Sequence, residues 1–272
     1  MIQSLKDILV VCDLDNTLLM AKEGLPSCNR TIIELFCMLG GRFTVASDRS
    51  PESTKRALDG LKLSCPAIVS SGAALYDFND EELISLGEIN HHHAIPALAE
   101  LTNRFANLGV MVYSQQGKAY MVQANHDSDL LAKNERLHYV FTSVDSIAVP
   151  CAKIDLTAHP STLLQVQKYL DSAGWSEWEY TMSSPRVLTI TASQVTKGTA
   201  LQRLCQQERI LLEDTIAIGD YHGDISLLQT AGHGVAVSNA PQQVKDFAGQ
   251  GVLACMDGGV GECLYALIKR YT

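Results

Sequence analysis

No apolar run in this chain approaches the roughly 18 residues that a membrane-crossing helix needs, so a membrane span is not expected. The first apolar run, Ile8–Cys12, ends in Asp13 and is too short for a secretory signal. Eight cysteines are present, yet no CxxC pair and no closely spaced framework. Cys12, Cys28, Cys37, Cys65, Cys151, Cys205, Cys255 and Cys263 are scattered, several of them inside apolar runs where cysteine acts as a small hydrophobe. Free thiols in a reducing cytoplasm are therefore expected, rather than a disulfide scaffold. Positive charge is scarce: 21 Lys and Arg face 30 Asp and Glu, a net charge of −9. Such a surface repels phosphate backbones and anionic lipid, so neither nucleic acid nor membrane is an expected partner. Internal repeats and low-complexity tracts are absent too.

What is present is globular composition, with 46% hydrophobic and 19% charged residues. The 272 residues suggest about two folding units. Apolar runs and helical patterns alternate at both ends. Ile8–Cys12, Phe43–Ala46 and Ala67–Val69 read as buried strands, with helices over Cys28–Leu39 and from Pro51 to about Leu61. Ser50 is the natural N-cap of the latter. The rhythm returns with strands Thr215–Ile218, Gly234–Val237 and Val252–Cys255. Its helices are Gly198–Gln206, Ile225–Thr230, one opened by Pro241, and Gly261–Lys269. Alternation of this kind implies parallel strands with crossover helices. The middle differs. Val110–Tyr113 and Ala119–Gln123 flank a Gln115-Gln116-Gly117 turn, and Ala152–Leu156, Ser161–Leu170 and Val187–Ile190 read as strand, helix and strand. The expected architecture is α/β: a Rossmann-like doubly wound parallel sheet over residues 1–82 and 190–272, with an inserted α+β cap over 83–189.

Four segments carry candidate chemistry. Asp13-Leu14-Asp15-Asn16 places two acids just past a buried strand, where open α/β sheets bind ligands. In an extended stretch, alternate residues point the same way, and two close carboxylates call for a hard divalent cation between them. A polar turn is the plain alternative. An EF-hand loop is excluded, because Leu18 stands where glycine is required. Gly219-Asp220-Tyr221-His222-Gly223-Asp224 repeats the pattern after another strand, and could equally be a turn capping the next helix. Ser47-Asp48-Arg49 lies between a strand and a capped helix, where a hydroxyl and N–H groups can hold phosphate oxygens. Lys197 opens a helix, an unfavourable place for a cation unless it neutralises an anion.

In this order the four segments match the four motifs of the haloacid dehalogenase-like hydrolase superfamily. The chain resembles its Cof-type subfamily, whose cap is inserted between the second and third motifs. Ile68–Asp77 looks like that subfamily's segment entering the cap, and Val235–Ala240 like the segment after the fourth motif. The resemblance covers essentially the whole chain. It implies a Mg2+-dependent phosphatase of small phosphorylated metabolites such as sugar phosphates, a monomer or small homo-oligomer. Asp13 matches the family's nucleophile, which forms an aspartyl-phosphate, and Asp15 its acid/base. Ser47 and Lys197 match the groups that bind the phosphoryl oxygens, and Asn16, Asp48 and Arg49 are further expected substrate contacts. Asp220 matches the magnesium carboxylate, with Asp13 and the backbone carbonyl of Asp15 completing the protein's ligands. Asp224 matches a supporting acid that orients Lys197 or metal-bound water.

The chain departs from the subfamily pattern where Gly223 stands for a usual Asn, Ser47-Asp48-Arg49 for Thr-Gly-Arg, and Gln194 for a Gly before the Lys. A phosphosugar mutase and a non-catalytic binding protein on the same scaffold are the alternatives. Outside the motifs, His91-His92-His93 reads as a solvated cap-entry loop, since consecutive residues cannot face one point. Trp175 and Trp178 read as cap packing, and Met182–Arg186 as a loop-rich stretch returning toward the pocket.

Overall fold

The structure, a computed structural model, describes residues 4–20, 24–147, 150–248, 252–253 and 259–272. Strand Leu9–Asp13 is buried along its whole length. Leu9, Val10, Val11 and Cys12 are apolar on both faces, which suits a parallel strand covered by helices above and below. It lies inside an eight-stranded sheet. The order is Val252–Leu253, His233–Val237, Thr215–Gly219, Leu9–Asp13, Arg42–Ala46, Ala67–Val69, Ala74–Asp77 and Glu82–Ser85. The first six are parallel, and the last two add an antiparallel edge. The α/β, Rossmann-like class is thus the one the alternating pattern implies. Of the strand expected at Val252–Cys255, residues 254 and 255 lie outside the described residues.

Winding reverses at Leu9–Asp13. The chain lays Arg42–Ala46 on one side of it and later Thr215–Gly219 on the other. A crevice opens at such a reversal, outside the C-terminal strand ends. Asp13, Ser47 and Asp220 are the residues at or just past these three ends.

The second sheet has six strands, ordered Trp178–Ser184, Val187–Ala192, Cys151–Thr157, Gly109–Ser114, Ala119–Gln123 and Tyr139–Phe141. Sheet membership therefore changes after Ser85 and again after Ala192. Helices His91–Arg104 and Pro160–Ala173 supply Ala94, Leu98, Leu101, Leu163 and Val166 to the apolar cluster on one face, against Val110, Val112, Ile154, Leu156 and Ile190.

Three local expectations are corrected. His91, His92 and His93 are the first turn of a helix, not a loop. Asn90 caps it by accepting from His92 N at 3.0 Å, and Ala94, Ala97, Leu98 and Leu101 form its buried stripe at helical spacing. Met182, Ser183 and Ser184 end strand Trp178–Ser184, hydrogen-bonded to Val187–Ala192. The helix after Ser50 stops at Leu58, because Asp59 (φ 48°) and Gly60 (φ 79°) are left-handed. Ser50 caps that helix as expected. Trp175 and Trp178 pack on each other with centroids 4.9 Å apart.

Candidate active site

The turn after the first strand is tight: Leu14 O accepts from Leu18 N at 3.0 Å and Leu19 N at 2.8 Å. Asn16 is left-handed there (φ 62°), and its carbonyl accepts from Asn239 Nδ2 at 3.1 Å. Because the strand ends at Asp13, the two acids do not point together. Asp13 is buried and faces Lys197. Asp15 is half exposed and is gripped by Arg49, with Nε to Oδ2 and Nη2 to Oδ1 both at 2.7 Å. The expectation that both carboxylates enclose one cation is therefore corrected. Arg49 takes the Asp15 carboxylate and also donates from Nη1 to Ser53 Oγ at 3.1 Å. Ser47 is buried beside it, its N–H donating to Ile68 O at 2.9 Å and its Oγ accepting from Arg49 N at 3.1 Å.

Lys197 is the first residue of helix Lys197–Glu208, whose N-cap is Thr196. Its Nζ donates to Asp13 Oδ1 and Asp224 Oδ1, both at 2.8 Å, and lies 3.6 Å from Asp48 Oδ2. Gly72 (φ 96°) lets the chain pass close beneath: a Cβ there would stand 2.3 Å from Thr196 O and 2.8 Å from Lys197 N. Asp224 spends its other oxygen on the N–H groups of Asp220 at 3.0 Å and Tyr221 at 3.2 Å. Asp220 accepts from Thr17 Oγ1 at 3.3 Å.

Ligand atoms of Asp13, Asp220 and Asp224 all lie within 4.8 Å of one another, all on buried residues. Burial, then the Asp224 charge, raises the Asp13 carboxyl well above the usual range against the pull of Lys197. The same two causes push Asp220 up to about 7. Burial opposes the Lys197 charge, but Asp13, Asp224 and Asp48 hold it well above the ordinary lysine range. One ammonium thus serves several buried carboxylates. Hard oxygen donors with surplus negative charge fit a divalent cation such as Mg2+.

The two departures at Asp48 and Gly223 meet in space. A Cβ on Gly223 would lie 3.8 Å from both Asp48 carboxylate oxygens. Asp48 Oδ1 accepts from Ser71 Oγ at 2.9 Å, which fixes its orientation. The acid present at one position occupies the space beside the side chain missing at the other.

Two adjoining cavities, of about 220 and 560 Å³, share Asp48, Thr189 and Gly223. The smaller is lined by Asp13, Asp15, Asn16, Asp48, Arg49, Asp220 and Asp224 from below. From the second sheet and helix His126–Glu135 come Glu135, Lys153, Asp155, Ser183 and Thr189. Met182 lines the larger cavity, so the stretch expected to return toward the pocket does so. Apart from Ser183, which belongs to that stretch, these upper residues were not read from the sequence. The available signal was alternation in Cys151–Thr157: Lys153 and Asp155 are charged residues between Ala152, Ile154 and Leu156, so one face of that strand is polar.

Glu135 shows a buried acid's pH signature. Burial pushes its carboxyl from 4.5 up to about 7, against Lys153 and Arg49. Between those values the folded chain keeps a proton that the unfolded chain releases, so stability falls as pH rises through the window. Glu135→Gln removes that slope. The unfolding temperature of the wild type, measured relative to this variant, is expected to drop as pH goes from 4.5 through about 7. A gap constant with pH would contradict it.

Comparison with known proteins agrees with this geometry. The haloacid dehalogenase-like hydrolase family model matches residues 10–264. Phosphatase YwpJ of Bacillus subtilis is 23% identical, over 96% of this chain and 99% of that protein. Pyridoxal phosphate phosphatase YbhA of Escherichia coli is 24% identical, over 87% of this chain and 89% of that protein. The structure of SMU.1108c from Streptococcus mutans superposes with a TM-score of 0.85 at 17% identity, covering 96% of this chain and 98% of that one. With acids at adjacent strand ends clasping one lysine, and a family match running through both sheets, the chain belongs to the haloacid dehalogenase-like hydrolases.

Proposed function

We propose that the protein is a cytoplasmic, Mg2+-dependent phosphatase of small phosphorylated metabolites. The observation that carries this reading is Lys197, held at 2.8 Å by both Asp13 and Asp224, next to Asp220 at the C-terminal end of the sheet. Uncatalysed phosphate-monoester hydrolysis is slow enough that enzymes accelerate such reactions by up to about 10²¹-fold, so positioning and charge must act together. Asp224 spends both oxygens on Lys197 and the two N–H groups. Asp13 and Asp220 are therefore the side chains that would hold Mg2+, with the Asp15 carbonyl beside them. When bound, the ion neutralises charge on the phosphoryl oxygens.

In the first step an Asp13 carboxylate oxygen bonds to phosphorus and the ester P–O bond breaks. Protonated Asp15 gives its proton to the departing alkoxide, leaving an alcohol and an aspartyl-phosphate. Asp15 then takes a proton from water, whose oxygen attacks phosphorus. The bond to Asp13 breaks, releasing inorganic phosphate and restoring both side chains. Lys197 and the Ser47 hydroxyl hold the transferring oxygens. Arg49 is forked onto both Asp15 oxygens, so that pairing must loosen for Asp15 to reach the leaving group, and an arriving phosphate competes for the guanidinium. Asp48 supports Lys197 from the side of Gly223, and Asn16 lines the entrance.

Phosphate release from a panel of monoesters tests the reading. Release is expected with Mg2+ and is expected to cease in EDTA. Release undiminished by EDTA counts against the metal. Silence from a folded, Mg2+-loaded protein counts against the phosphatase.

A further inference from the structure

Above the acids, the cap side of the smaller cavity is a chain of hydrogen bonds with a direction. Lys153 Nζ donates to Asp155 Oδ2 at 2.6 Å. Thr189 Oγ1 donates to Asp155 Oδ1 at 2.7 Å, and Ser183 Oγ donates to Thr189 Oγ1 at 2.7 Å. Both Asp155 oxygens are thereby engaged. The hydroxyl protons of Thr189 and Ser183 are spent within the chain, and Ser183 is left with lone pairs to offer. Lys153 is almost wholly buried and sits 4.3 Å from the Tyr113 ring centroid, so its charge is spent on Asp155 and that ring.

Glu135 lines the same cavity at 9% exposure, and its Oε2 has no hydrogen-bond partner. It is the last residue of helix His126–Glu135, where the helix dipole disfavours a carboxylate. A buried acceptor left empty at an electrostatic cost calls for a donor from a ligand. Its place over the site is fixed from the backbone, because Glu135 O accepts from Ser53 Oγ at 3.3 Å and Arg56 Nη2 at 3.4 Å. Arg49, the other cation facing this cavity, is forked onto Asp15. Among the described residues lining either cavity, no lysine or arginine is left unpaired.

We infer that Glu135 and Ser183 form a leaving-group subsite that accepts hydrogen bonds and refuses a second anion. The substrate class is a phosphate monoester of a polyhydroxylated or amine-bearing alcohol, not a bisphosphate or a phosphorylated carboxylic acid. The inference deepens the phosphatase reading and rests on it. Above about pH 7, where Glu135 gives up the proton that burial makes it keep, a second phosphate or a carboxylate would meet its charge with no free cation to receive it, and a like-charge encounter in a buried site is strongly penalised. A hydroxyl or ammonium fills the empty acceptors. The same subsite gives no hold for the bisphosphate activator that a phosphosugar mutase uses.

The experiment compares kcat/KM for sorbitol 6-phosphate, glucosamine 6-phosphate and 6-phosphogluconate, at a pH above the value of about 7 to which Glu135 is raised. Wild-type turnover of p-nitrophenyl phosphate serves as a separate check on phosphatase activity. The two uncharged or cationic leaving groups are expected to exceed the carboxylated one by about a hundredfold. Glu135→Gln is expected to shrink that ratio at least about tenfold, and Ser183→Ala to lower the polyol ester's kcat/KM while sparing the ratio more. Equal or better use of 6-phosphogluconate overturns the inference, as does an unchanged ratio in Glu135→Gln with the variant folded. If p-nitrophenyl phosphate too is untouched, the phosphatase reading fails by itself. Calorimetric binding of the same three esters to the wild type then reads the ranking directly, and tighter binding of the carboxylated ester overturns the subsite.

Discussion

Asp13→Asn is expected to lower phosphate release by at least about 10⁴-fold, because the amide cannot form the acyl-phosphate bond on which turnover depends. The same substitution carries a stability signature. Burial and the Asp224 charge hold the Asp13 carboxyl well above its usual range, so in metal-free protein at neutral pH its ionised form is a liability. Asparagine removes that charge and keeps the shape, with an oxygen still able to accept from Lys197 Nζ, now 2.8 Å from Oδ1. In EDTA the variant is therefore expected to unfold no earlier than wild type, and its gain on adding Mg2+ to be smaller. Thermal unfolding with and without Mg2+, run beside the phosphate assay, checks both halves. Retained turnover removes Asp13 from the chemistry. Lost turnover together with a large drop in unfolding temperature in EDTA reduces Asp13 to a packing role.

Lys197→Met is expected to have the largest effect on folding. The lysine is 2% exposed and neutralises Asp13 and Asp224 directly, with Asp48 at 3.6 Å. Methionine keeps the aliphatic stem and removes the charge. Removing one partner of a buried ion pair typically costs about 3–5 kcal/mol, because the remaining charges are left uncompensated. The deficit is expected to widen as pH rises, since carboxyls that lose their counter-charge escape by binding protons. Urea unfolding in EDTA at two pH values measures it. A variant within about 1 kcal/mol of wild type at both would show that the lysine's counter-charge is not needed for folding. Phosphate release is expected to fall as well, since the transferring oxygens lose a fixed positive partner.

Asp48 and Gly223 show how two departures from a familiar pattern can explain each other. In the sequence they look like a lost polar side chain and a misplaced negative charge. In space the Asp48 carboxylate lies 3.8 Å from where a Gly223 side chain would begin, and Ser71 holds it there. Ser70 (φ 51°) and Ser71 (φ 60°) are both left-handed, a backbone detail with no composition signal, and they put the Ser71 hydroxyl under Asp48.

Local chemistry alone determined much of this protein. Apolar runs such as Ile8–Cys12 and Thr215–Ile218 read as buried strands, Ser50 before Pro51 read as a helix start, and acids placed just after parallel strands gather at one edge of the sheet. Those readings depend on period, capping and strand polarity, which act over a few residues. Tertiary structure decided the rest. Whether Asp15 faces Asp13 or Arg49 depends on a turn at Leu14 and on a guanidinium 34 positions away. Which acids crowd Lys197 depends on bonds spanning 184 and 27 positions. The upper half of the site lies on a strand face and a helix end that come near Asp13 only after the second sheet folds over the first. Desolvation, which leaves Glu135 with an empty acceptor and Asp220 near neutrality, exists only once both layers are in place.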